Sequence, residues 1–153
     1  RRKKMKFEDV TQDVNDVLER CRFPELNSAK ILCIFSLKKK MRGGQLTLAW
    51  TKKANDFLRF LTLDDVTDGE GYDYFIFIDK KAWSLANEDD RIRLMRHELK
   101  HMDVDLDSKN PYKLRDHTVK DFYSEIEMNR DNPRWGESLA IRTKIAYEES
   151  EEE

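Results

Sequence analysis

The chain has few of the residues that make metal cages and cross-links: of its 153 residues, three are histidine and two are cysteine. Cys21 and Cys33 stand in neither a redox nor a metal-binding spacing, which excludes a disulfide framework or a cysteine-built zinc knot. Two thiols in a reducing compartment are expected instead. No run approaches the roughly 18 consecutive apolar residues of a membrane span. Nor is any secretory signal visible, because Arg1-Arg2-Lys3-Lys4 is not followed by an apolar stretch. A cytoplasmic protein with no membrane partner is therefore expected. Charge of one sign is lacking too: 29 basic against 31 acidic residues leave a formal net charge of -2, which gives no global attraction to nucleic acid. Repeats and long low-complexity linkers are absent. Charged residues make up 39%, yet 10% aromatic content argues against disorder. The expected organisation is a basic extension over 1–6, one domain over 7–147 and an acidic, solvated tail over 148–153.

Two of the three histidines bracket a glutamate in His97-Glu98-Leu99-Lys100-His101, an HExxH pattern. Positions four apart on a helix lie on one face, about 5–6 Å apart at Cβ, so both imidazoles can reach one ion. Glu98 follows the first of them and can hold a water and take its proton. A catalytic zinc needs three protein ligands and one open position, and His117 is the only histidine left. Asn87-Glu88-Asp89-Asp90 reads as the helix start, with a capping side chain and first-turn acids. Ile92, Met95, Leu99 and Met102 then give a core-facing stripe, with His97 and His101 beside it. Lys100, inside the motif, implies that its own side of the helix reaches solvent.

Elsewhere, apolar residues at three- and four-residue intervals from Phe7 to Cys21 predict a first helix, stopped by Pro24. Ala29–Leu37 reads as a buried strand and Gln45–Lys52 as a second. The turn Lys38–Gly44 would join them as an antiparallel hairpin. Asn55–Leu63 is either helix or extended, and Asp64–Gly71 is a loop. Tyr74–Ile78, nearly all apolar, reads as a central strand, linked by Lys81–Ala86 to the HExxH helix. After His101 the chain reads as irregular and acidic. A helix is expected from Asp116 through Ile126, broken at Asn132-Pro133, and a last one from Glu137 to Tyr147. The fold class is α+β: a sheet of three or more strands on the HExxH helix and two to three others.

Several landmarks together resemble the putative phage metallopeptidase domain family, a group of small zincins related to SprT-like peptidases. They are Phe23-Pro24-Glu25-Leu26, the strand Ile31–Phe35, the basic glycine-containing hairpin, the strand Tyr74–Ile78, Trp83, the run Arg93–His101, Asp116-His117 with Phe122, and Trp135-Gly136. The resemblance runs from about residue 7 to residue 136. It implies a zincin-like fold and a zinc peptidase with His97, His101 and His117 on one zinc ion and Glu98 catalytic, acting on a protein or peptide substrate. From the residues alone, Glu125 and Asp121 remain rivals of His117 for the third ligand. Asp103, Asp116 and Asp121 are candidates to orient a histidine, and Tyr123 and Tyr147 to steady an oxyanion. Two other classes stay open. One is a non-catalytic domain stapled by zinc. The other is a nucleic-acid-associated protease using Lys38-Lys39-Lys40-Met41-Arg42 and Arg1–Lys4, although no aromatic residues interleave those clusters.

Overall fold

A computed structural model describes residues 5–67, 69–116 and 122–152. The chain begins with a strand, β1 (Phe7–Asp9), and a helix, α1 (Gln12–Cys21). The expected helix thus starts five residues late. Phe7 and Val10 fit a helical period, but Phe7–Asp9 pair antiparallel with the next strand, β2 (Ile31–Ser36), and Thr11 stays extended at the helix start. A two-rung hairpin, β3 (Met41–Arg42) and β4 (Gln45–Leu46), turns through Gly43 and Gly44, both at positive φ. It leads to β5 (Ala49–Lys53), then to the short helix α2 (Asp56–Leu61), capped by the Asn55 side chain on Leu58 N.

The strand β6 (Tyr74–Asp79) corrects the expected hairpin between the first two long strands. The sheet order is β1-β2-β6-β5, with β2 parallel and β5 antiparallel to β6, so the later strand sits between the two. Tyr74–Asp79 is buried at five of its six positions, and the centre of a sheet is where both its faces can be covered. The segment expected as a plain link is a helix, α3 (Lys80–Leu85), which starts where Asp79 accepts a bond from Ala82 N. It is followed by the HExxH helix α4 (Glu88–Lys100). The stretch expected as irregular contains a hairpin, β7 (Met102–Val104) with β8 (Tyr112–Leu114). Then come α5 (Tyr123–Met128) and α6 (Trp135–Glu152). This last helix carries the acidic end as far as Glu152 rather than leaving it as a frayed tail.

One face of the sheet forms the core. Ile31, Cys33 and Phe35 of β2 and Tyr74, Ile76 and Ile78 of β6 point the same way and pack with Val14, Val17 and Leu18 of α1 and Leu94, Met95 and Leu99 of α4. Full burial of each large aliphatic is worth about 1.5–3 kcal/mol. It fixes α4 across the sheet, so the motif helix is seated by the stripe that includes Met95 and Leu99, while the partly buried Ile92 packs at its edge. Cys33 is buried and its thiol pKa is pushed up to about 12 by desolvation, while Cys21 is half-buried and its thiol is also raised by burial. Both are free thiols. Two of the three lysines of the hairpin approach have partners: Lys39 pairs with Glu151 at 2.9 Å, and Lys40 Nζ lies 4.1 Å over the Trp50 ring. Among the described residues no helix is long and apolar enough to cross a membrane.

Candidate metal centre

The helix α4 is built to place its last turn. The Asn87 side chain accepts from Asp90 N at 2.8 Å, satisfying one of the open amides at the N-terminus, and three acids fill the first turn. Asp90, itself buried, is matched by Arg93 at 2.9 Å and Arg142 at 3.5 Å. At the other end the chain leaves α4 at His101 directly into β7, and Arg115, just past β8, returns to the helix end. There Arg115 N donates to the His101 carbonyl at 2.6 Å, and the Arg115 carbonyl lies 2.8 Å from His101 Nδ1. Donation from Nδ1 to that carbonyl fixes the tautomer whose lone pair is on Nε2.

His97, Glu98 and His101 come together: one donor atom from each lies within 4.8 Å of the others, and the two imidazole centroids are 5.3 Å apart. Phe122 packs against both rings, at 5.5 and 5.1 Å, and gives the group an apolar flank. Two imidazoles with one carboxylate between them, one ring oriented by a carbonyl, form a donor set suited to a divalent cation that accepts nitrogen. Glu98 is only 3% exposed. Thr51 Oγ1 on β5 donates to its Oε2 at 2.6 Å and lies 3.3 Å from its carbonyl oxygen. This holds one oxygen and leaves Oε1 to act.

The other candidates fall apart from this group or cannot be placed. His117 and Asp121 lie outside the described residues, as does the Tyr123 side chain. Glu125 is fully buried, but its Oε1 accepts from Arg96 Nε at 2.8 Å, and it does not join the His–Glu–His group. Asp103 faces Arg115 at 3.6 Å, and Asp116 is exposed. The Tyr147 hydroxyl is committed to Asp79 at 2.6 Å. Burial and that carboxylate push its pKa up, while burial raises that of Asp79. Lys100 lies 4.4 Å over the Phe23 ring and is half-buried.

Sequence reasoning missed Thr51 and the Arg115 carbonyl. Thr51 follows from strand alternation once β5 is known to be an edge, because it shares a face with Ala49. The carbonyl leaves no trace in residue identity. The hydrogen bonds Asp79 N to Leu48 O and Ala54 N to Asp73 O mark the bonded rungs of the β5–β6 ladder. The intervening residues Ala49, Thr51 and Lys53 therefore turn their backbone groups to the outer edge of the sheet. Beside that edge a groove of about 620 Å³ opens, bounded by β4 and the start of β5, by Leu94, His97 and Glu98, and by the first half of α6.

A family model described as "Putative phage metallopeptidase" matches residues 3–144. No curated protein and no solved structure matches the chain.

Proposed function

The chain belongs to the putative phage metallopeptidase family, and on that premise we propose that it is a zinc-dependent peptidase of zincin-like type. His97 and His101, completed by His117, hold the ion, and Glu98 is the general base. The observation that carries this reading is the pairing of two convergent imidazoles with a buried, oriented carboxylate: His101 set by the Arg115 carbonyl and Glu98 set by Thr51. A zinc ion held by these residues would supply a Lewis acid that lowers the pKa of a water towards about 7 and polarises the scissile carbonyl. Glu98, held at Oε2, takes the water proton at Oε1 and returns it to the leaving amine. An extended substrate adds to the open edge of β5 through the backbone groups of Ala49 and Thr51, which sets its carbonyl at the level of Glu98. Ala49 also lines the groove, so edge and cleft are one surface.

A purely structural zinc site fits less well, since a closed shell has no use for a carboxylate oriented beside its ligands. The test measures bound metal and peptide hydrolysis in the wild type and in Glu98→Gln. We expect one zinc per chain in both, and a loss of activity of about 10²–10⁴ in the variant. Equal activity would remove Glu98 as the base, and a wild type that takes up no metal would remove the reading altogether.

A further inference from the structure

The groove beside Glu98 carries information about what enters it. Its inner walls are apolar: Leu46 and Leu94 are 5% and 4% exposed, while Ile141 on α6 stands at the lip, 53% exposed although large and apolar. Farther along the same helix face is Lys144. The other cation lining the groove, Arg134, is paired with Glu137 at 3.0 Å, whereas no acid among the described residues pairs with Lys144. The spacing is set by the helix. Ala140 and Lys144 are four residues apart, about 6 Å along the axis. In an extended peptide, side chains on the same side recur every second residue, about 6.6 Å apart. For a strand laid along α6, one side chain seated at Ala140 and Ile141 places its next same-side neighbour at Lys144.

We propose that this groove binds an extended peptide bearing a large apolar side chain and an acidic side chain two positions apart, the first between Leu46, Leu94 and Ile141 and the second against Lys144. The link to cleavage rests on the peptidase reading, while the binding preference does not. The experiment uses zinc-supplemented Glu98→Gln protein and fluorescein-labelled alanine-based peptides containing Leu-Ala-Glu, Leu-Ala-Lys or Ala-Ala-Glu, each also in reversed order, read by fluorescence anisotropy. In one of the two orders, the Leu and Glu peptide binds about 5-fold more tightly than either control, as expected of an exposed charge pair and a partly buried side chain. Lys144→Glu, introduced beside Glu98→Gln, reverses the Glu-over-Lys preference and keeps the preference for Leu, while Ile141→Ser weakens only the latter. A Glu-over-Lys ratio untouched by Lys144→Glu, or no gain from Leu over Ala, overturns the proposal. Hydrolysis of the same peptides by the wild type separates the two claims. Selective binding with no cleavage removes the peptidase and keeps the groove, and cleavage without selectivity does the reverse.

Discussion

Thr51 Oγ1 donates to Glu98 Oε2 across 2.6 Å, and that one bond ties the open edge of the sheet to the helix carrying the two histidines. The carboxylate is 3% exposed, so few waters compete for it. A hydrogen bond to an ionised group is worth about 1.5–3 kcal/mol. Thr51→Val keeps the branched shape and removes the donor. The expected result is a fall of roughly 10- to 100-fold in kcat/KM for peptide hydrolysis, with bound metal unchanged and with Thr51→Ser close to wild type. An undiminished kcat/KM in the valine variant would show that the bond has no part in turnover.

Metal should stabilise the fold. A ligand held only by the native state adds about 2.7 kcal/mol at a free concentration 100 times its Kd. For a chain of this size that raises Tm by roughly 5–11 °C. Differential scanning fluorimetry with added zinc should show the rise for the wild type and for Glu98→Gln, and none for His97→Ala or His101→Ala. A full rise in either histidine variant would place the ion elsewhere.

Glu125 separates architecture from ligation. It is fully buried, with Oε1 on Arg96 and Oε2 without a hydrogen-bond partner among the described residues, while Arg96 also reaches Asn129 at 2.7 Å. Removing one member of a buried ion pair leaves the other uncompensated, at a cost of about 3–5 kcal/mol. Glu125→Ala should lower stability by that order in urea titrations, yet bind as much zinc per folded chain. Loss of metal from a variant that is still folded would return Glu125 to the ligand set.

Alkaline unfolding should report on Tyr147. Its pKa is raised in the folded chain by burial and by the bond to Asp79. The stabilisation from the protonated hydroxyl is therefore complete below the unfolded value of about 10 and is lost as pH rises through the folded value. Tyr147→Phe should be weaker than wild type at pH 7, by about 1–3 kcal/mol for the unpaired buried carboxylate. It should also lose less of its remaining stability between pH 9 and pH 12. Parallel losses in the two proteins would mean that Tyr147 does not carry this dependence.

The local signals of the site were legible in the sequence. Asn87 caps α4 where the acids announce it, and Met95 and Leu99 face the core as their spacing requires. Tyr74–Ile78 is central because an all-apolar strand must be covered on both faces. What failed was pairing. Nothing between Phe35 and Trp50 tells β2 and β5 to part for a strand that comes 20 residues after β5, because a hairpin and an interrupted pair share the same alternation. Phe7–Asp9 went astray for a related reason: a three-residue edge strand is defined by its partner, not by its own pattern. Thr51 was invisible because its importance comes from a residue 47 positions away. His117, which the family resemblance makes the third ligand and which the residues alone left beside Glu125 and Asp121, lies outside the described residues.

The insertion of β6 between two earlier strands sets an order on biosynthesis. A ribosome delivers β2 and β5 well before the segment that joins them, so a nascent chain short of residue 79 displays Ile31, Cys33 and Phe35 with no neighbour on that side. The sheet can therefore close only once β6 has been made. Glu98 is translated later still, so no growing polypeptide acquires an oriented base before its scaffold can be complete.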